Sequence, residues 1–307
     1  MSEGANQAGL EVVLAFDKDE KKIITYRNNH SDCKSLIIDA NNFIALARRK
    51  GWRVDVLHLS FPCQPYSPAN VAHNIDKDEQ NQAPLLGCAE IIEALLPRVV
   101  TVEETDGIRD SRYTPWFHAL LQQFTSLGFS VRPGEDLPPF PQPTHARGAV
   151  SIATALREVE KAHRGSPLSH HDTSKKLDIP KPSFDPHRLA KTVTCGGGIG
   201  NYHPSGVRNF TGNESAALQT FPVRYKWGTL YLTEVRIQVG NAVPPLLGKA
   251  VQASVAKSLR ATDKRRLAKM RSEAQKNIID LTSDLDDEVI TTLANQDSHR
   301  MCRDYEI

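Results

Sequence analysis

The cysteines of this chain lack the spacing that would make them structural. Cys33, Cys63, Cys88, Cys195 and Cys302 are odd in number and contain no Cys-x-x-Cys pair, which argues against a disulfide framework and against a zinc ribbon. A reducing compartment follows, and the histidines, His170 and His171 included, show no ligand spacing, so no metal is expected and these two read as surface residues. An excess of one charge is also missing. Lys and Arg total 38 against 36 Asp and Glu, so any surface for a polyanion must be local. No apolar run approaches the roughly 18 residues of a membrane helix, and the N-terminus has no basic, apolar and cleavable succession, so neither a membrane nor secretion is expected. No internal repeat is evident.

What is present is enough apolar material for one large domain or two ordinary ones: 39% of the 307 residues are hydrophobic and 24% charged. Short apolar, β-branched runs alternate with amphipathic stretches: EVVLAF then KKIITYRNN, SLIID then NFIALARRK, VDVLHLSF then GCAEIIEALL, RVVTVEE then PWFHALLQQFTSL, and finally FSVR. This rhythm predicts an α/β, doubly wound parallel sheet, whose ligands lie beyond the C-terminal ends of the strands.

After Arg132 the texture breaks. Five prolines between positions 133 and 143 forbid regular structure and read as a connector. Residues 150–162 read as one helix, and TVTCGGGIGNYHPSG is glycine-dense and unlike the first half. A long helix is predicted from Pro244 or Pro245, since proline is tolerated in a first turn. The expected organisation is a core over 1–132, a connector and small lobe over 133–210, a returning segment over 211–275, and an acidic, disordered tail over 276–307.

Chemistry concentrates just after the strands. Cys63, in SFPCQPYSPAN, follows the third apolar run and is stiffened by flanking prolines, a position suited to a nucleophile; the alternative is a buried core cysteine. The neighbouring run RVVTVEET ends in Glu103 and Glu104, delivering a carboxyl group to the same rim; the alternative is a pair of solvated loop acids.

Four motifs then occur in order: FPCQ, VEET, RNFTGNESAALQTFP and QVGNAVPP. In this order and spacing they resemble the C5 cytosine-specific DNA methyltransferases. The Glu-x-Thr form of the second motif is similar to the fungal group linked to repeat-induced point mutation. The resemblance implies a SAM-dependent methyltransferase (Rossmann-like) sheet with a small target-recognition lobe. It also implies methyl transfer from S-adenosylmethionine to carbon 5 of a cytosine flipped out of double-stranded DNA in the nucleus. Cys63 matches the thiolate that adds to carbon 6, and Glu103 the acid that hydrogen-bonds ring nitrogen 3. Asp17 matches the acceptor for the cofactor ribose and Asp39 the residue near the adenine; a helix N-cap is the alternative for either. Asn241 and Val243 match positions that complete the cofactor pocket. Gly197, Gly198 and Arg208, in the glycine-dense stretch, match the lobe that approaches DNA, with Arg208 on a phosphate; a flexible loop is the alternative.

Two pieces of the resemblance are absent. The chain opens at MSEGANQAGLEVV, which resembles the helix after the family's first strand and Gly-rich turn. Between FSVR and PGEDLPPFP there is no Gln-x-Arg-x-Arg loop. A truncated copy is therefore expected, with a sheet lacking its first, central strand and leaving its neighbours unpaired unless they close up. That sets two functions side by side: the methyltransferase, and a catalytically inactive relative that contacts DNA and is recruited to chromatin. The basic stretch KSLRATDKRRLAKMR suits phosphate contact, nuclear import or a solvated face. Ile278, Ile279 and Leu281 with their acidic flank resemble a SUMO-interacting strand, while Ile278, Leu281, Leu285 and Val289 also fit one helical stripe.

Overall fold

Four of the five short β-branched runs form strands where the pattern predicts them, and the amphipathic stretch after each of the four forms a helix. The computed structural model describes residues 1–62, 65–66, 87–131, 150–195 and 201–283, with side chains through 276. Helix α1 (Ser2–Gln7) leads to β1 (Leu14–Asp17), α2 (Glu20–Arg27), β2 (Lys34–Ile37), α3 (Ala40–Lys50), β3 (Val56–Ser60), α4 (Cys88–Leu95), β4 (Val99–Glu103) and α5 (Thr114–Ser126). Two 3-10 turns, Asp106–Arg109 and Ser111–Tyr113, separate β4 from α5. Then come α6 (Ile152–Gly165), α7 (Gly212–Leu218), α8 (Leu232–Gly240) and α9 (Pro245–Ser283). The chain divides into two compact units, Met1–Ser254 and Val255–Ile307.

Local signals set the boundaries. Asp19 caps α2 and Asp39 caps α3 by accepting from the backbone NH groups of Lys21 and Asn42, and α3 stops at Gly51, whose φ of 62° a residue with a side chain adopts only under strain. Thr211 and Glu214 form a reciprocal capping box at the start of α7.

The strands pair in parallel, β1 with β2 (Leu14 opposite Lys34 to Asp17 opposite Ile37) and β3 with β4 (Val56 opposite Val99 to Ser60 opposite Glu103). The core gathers on this frame. Phe43, Ile44 and Ala47 of α3 pack with Leu57 and Leu59 of β3, Ile91, Ile92 and Leu95 of α4, and Leu120 and Phe124 of α5. Phe43 stacks on Phe16 at 3.9 Å between ring centroids. A smaller cluster joins Ala216, Trp227, Val235 and Val239.

Three expectations need correction. The sheet is not continuous: among the described residues no ladder joins the β1–β2 pair to the β3–β4 pair, so the neighbours of the expected missing strand have not closed up. Of FSVR, the described residues Phe129, Ser130 and Val131 form no strand. Phe129 and Val131 lie against the core, but no described segment pairs with them, and an apolar run without a ladder partner packs as coil. Helix α9 continues past 276 to Ser283, so the backbone at Ile278, Ile279 and Leu281 is helical. A SUMO-binding segment adds to a sheet edge as an extended strand, and that reading is not retained. The remainder of the acidic tail lies outside the described residues.

Candidate active site

The C-terminal ends of the strands open onto one cavity of about 1380 Å³, where a parallel α/β sheet holds its ligands. Asp17 at the end of β1, Asp39 after β2, Ser60 at the end of β3, Pro62 beyond it, and Glu103 at the end of β4 all line it, with Asn241 and Val243 from the segment between α8 and α9. The volume exceeds the few hundred to 1,000 Å³ of a typical small-molecule site.

Five residues singled out in the sequence are thereby brought to one cavity: Asp17, Asp39, Glu103, Asn241 and Val243. Asp17 Oδ1 accepts from the backbone NH of Asp19 at 2.9 Å, and its Oδ2 lies 3.3 Å from Lys22 Nζ. Asp39 is both a cavity residue and the α3 N-cap, and the bonds from the Asn42 backbone and side chain hold its carboxyl below the usual range. Asn241 Oδ1 is held by Cys195 Sγ at 3.0 Å. Val243 is buried. Cys63, Gly197 and Gly198 lie outside the described residues; Pro62, next to Cys63 in the chain, lines the cavity.

Glu103 is partly buried, and burial raises its carboxyl above the ordinary range, opposed by a hydrogen bond from Ser60 and by the positive amino group of Met1. Next to it, burial pushes Glu104 up to about 7, with Glu103 adding to the rise against a bond from the Thr105 backbone. Glu104 Oε2, Thr105 Oγ1 and Tyr66 OH are buried with no partner among the described residues.

Arg208 departs from its expected place. It does not line the cavity, is only 7% exposed, and grips Glu214 with both terminal nitrogens at 2.7 Å. A guanidinium spent on a buried carboxylate is not available to a phosphate, and the assignment of Arg208 to DNA is corrected. The surface reading of His170 and His171 is corrected too. Both are buried: His170 Nε2 lies 2.8 Å from the Thr229 carbonyl, and His171 Nδ1 lies 3.0 Å from Thr211 Oγ1. Glu160, His171 and Glu214 come together beside that pair, but Glu214 already accepts from Arg208 and from the Thr211 backbone.

The residues missed in the sequence are His58 and Ser60. His58 Nδ1 is 2.9 Å from Thr101 Oγ1 and its Nε2 is 2.9 Å from Ser60 Oγ. The signal was available, because polar residues at 58, 60, 101 and 103 interrupt two apolar strands with a period of two.

The two strand-end carboxylates, Asp17 and Asp39, are acceptors of the kind that bind ribose and adenosine hydroxyl or amino groups in such folds. Gln238 Nε2, on the same wall, is buried without a described partner and offers a further donor. This donor set suits S-adenosylmethionine at the nucleoside end.

Comparison with known proteins agrees with this geometry. A family model described as C-5 cytosine-specific DNA methylase matches residues 1–134 and 142–257. The type II methyltransferase M.AquIB of Picosynechococcus is 34% identical over 116 residues, covering 34% of this chain and 82% of that protein. M.PspPI of Psychrobacter is 23% identical over 330 aligned positions, covering 85% of this chain and 77% of that protein. Among solved structures, a protein described as a DNA modification methyltransferase encoded within an E. coli prophage superposes with a TM-score of 0.56 at 16% identity, over 84% of this chain and 96% of its own. That likeness shows a shared Rossmann-like α/β fold.

Proposed function

The chain belongs to the C-5 cytosine-specific DNA methylase family, and from that membership we propose that it methylates carbon 5 of a cytosine extruded from double-stranded DNA. The observation that carries the reading is the shared cavity: Glu103 and Pro62, the residue preceding Cys63, line the space that Asp17, Asp39, Asn241 and Val243 also line.

In this reading S-adenosylmethionine supplies an electrophilic methyl group when bound. Asp17 and Asp39 bind the nucleoside end, and Asn241, fixed by Cys195, with Val243 closes the pocket. The Cys63 thiolate adds to carbon 6 of cytosine, which makes carbon 5 nucleophilic. Glu103 donates a proton to ring nitrogen 3 as the sulfur–carbon bond forms, so charge does not accumulate on the ring. Once carbon 5 carries the methyl group, its proton passes to water acting as base, the pair left behind re-forms the ring double bond and expels the Cys63 thiolate, and ring nitrogen 3 returns its proton to Glu103. Burial suits Glu103 to this work, because a carboxyl with raised proton affinity is protonated more of the time near neutral pH. Extrusion of the base costs a few kcal/mol that the cavity must return.

The Glu103-Glu104-Thr105 sequence supports placement in the fungal repeat-induced-point-mutation group, with nuclear DNA as the substrate. Gly197 and Gly198 remain candidates for the DNA side. A second reading, an inactive relative that binds DNA without turnover, is favoured by one observation: no described ladder joins β1 to β3.

Incubating the purified chain with methyl-labelled cofactor and unmethylated duplex distinguishes the two. Label in DNA that disappears with Cys63→Ser supports the enzyme; equal background in both proteins overturns it in favour of the binding protein.

A further inference from the structure

In the parallel register of β3 and β4, His58 stands opposite Thr101 and Ser60 opposite Glu103. Because side chains alternate along a strand, these four polar groups form a block on one face, two residues from each strand. The block is wired in series. Thr101 Oγ1 lies 2.9 Å from His58 Nδ1, His58 Nε2 lies 2.9 Å from Ser60 Oγ, and Ser60 stands opposite Glu103 across the ladder, where its hydroxyl lowers the proton affinity of the carboxyl. His58, Ser60 and Glu103 all line the cavity.

We propose that His58 is a positioning residue for Glu103, acting through Ser60: it fixes the direction of the Ser60 hydroxyl and thereby the orientation and acidity of the carboxyl group. This rests on the reading of Glu103 as the acid.

The protons can be placed. Burial, with the Met1 amino group, pushes His58 down to about 4 against a hydrogen bond to the Thr101 backbone, so the ring is neutral at pH 7 and offers one donor and one acceptor. If Ser60 gives its only proton to the carboxylate, Ser60 Oγ must accept from His58 Nε2–H. His58 Nδ1 then accepts the Thr101 hydroxyl proton, which fixes the tautomer. As Glu103 gives its proton to a base, negative charge grows on the carboxylate and the Ser60 bond shortens and strengthens. The chain therefore favours the ionised product of proton donation, opposing the burial that raises the proton affinity of Glu103. The other charged groups acting on this carboxyl are the Met1 amino group and Glu104, with Glu3 acting on the amino group.

Carbon-13 NMR titration of glutamate-labelled protein reads the Glu103 carboxyl directly, assigned by its loss in Glu103→Gln, and requires no turnover. Failure of methyl transfer and failure of the coupling are thus separately visible. Ser60→Ala removes a donor to the charged form, so the Glu103 midpoint should rise by about one pH unit. His58→Leu should raise it comparably, His58→Gln, which keeps a donor, should restore most of the wild-type midpoint, and the Ser60→Ala, His58→Leu pair should move no further than Ser60→Ala alone. A wild-type midpoint in His58→Leu, or a double variant that shifts by the sum of the singles, overturns the proposal. If His58→Leu does not fold, the near-isosteric Thr101→Val decides: a raised midpoint supports the series, an unchanged one refutes it.

Discussion

Arg208 and Glu214 meet in the interior through two parallel 2.7 Å hydrogen bonds, with the carboxylate side chain 1% exposed and the guanidinium 8%. Glu214 also accepts the Thr211 backbone NH at 2.8 Å and so completes the capping box of α7. One carboxylate thus ties RNFTGNE to itself before the helix begins, and the arginine of that motif serves the fold.

Breaking this pair should be expensive. Arg208→Met leaves Glu214 charged and buried without its counter-ion, and the expected loss is about 3–5 kcal/mol in urea unfolding. A loss below about 1 kcal/mol, together with weakened DNA binding, would return Arg208 to the DNA surface. The pH dependence provides a second reading of the same variant. Burial alone would raise Glu214, but bonds from Arg208 and Thr211 and the attraction of Arg208 hold it below the usual range. Its contribution is therefore present above the unfolded value, about 4.3, and is lost as pH falls through the depressed folded value. Arg208→Met should lose that acid-dependent part of stability.

Glu104 should act with the opposite sign. Its folded value is raised to about 7 from 4.5, chiefly by burial, so the folded chain binds more protons than the unfolded one between those limits. The associated stability is complete below about 4.5 and disappears as pH rises through about 7. Glu104→Gln should flatten this slope and stabilise the protein at pH 8 by about 1–2 kcal/mol, allowing for the part of the carboxyl open to solvent. A slope identical to wild type in chemical unfolding across pH 4.5 to 8 would place the ionisation elsewhere.

How much of this was legible in the sequence depends on whether the governing interaction was local. LAFD, KSLI, VLHLS and VVTVE announced their strands because their apolar runs have strand length, and Pro245 announced α9. FSVR carries the same signal but found no ladder partner, which no single segment can reveal. The capping box was present in the letters Thr211-x-x-Glu214, whereas the commitment of Arg208 to that same glutamate was not. His58 and Ser60 were overlooked because the surrounding strand is apolar and pairing with Thr101 and Glu103 requires the register. The helical extension over 278–281 was one of two readings that composition could not separate.

Asp17 and Asp39 look equivalent at strand ends, and substitution should separate them. Asp39 caps α3 through the Asn42 NH, so Asp39→Ala should cost about 0.5–2 kcal/mol of stability. Asp17 caps no helix; it holds Lys22 and the Asp19 NH at the cavity wall. Asp17→Ala should cost little stability but weaken S-adenosylmethionine binding tenfold or more, roughly the effect of one lost charge-assisted hydrogen bond. Calorimetric titration beside thermal unfolding gives both numbers, and unchanged cofactor affinity in Asp17→Ala would remove it from the site.

Gly240 offers a test of the pocket that leaves every polar group in place. A Cβ built there would fall 2.4 Å from the Cys195 backbone nitrogen and 2.7 Å from the Thr194 carbonyl carbon, both main-chain atoms that cannot swing aside. Gly240→Ala must therefore push α8 away from residues 194–195. Asn241, next in the chain, depends on Cys195 for its orientation at 3.0 Å. The expected outcome is a loss of cofactor affinity of at least tenfold, with a stability cost of about 1–3 kcal/mol, the usual range for forced overpacking. Cys195→Ser keeps a donor of smaller radius and should retain affinity to within a few-fold. If Gly240→Ala binds S-adenosylmethionine as the wild type does, then the segment joining α8 to α9 is no wall of the cofactor site, and Asn241 and Val243 lose their assignment with it.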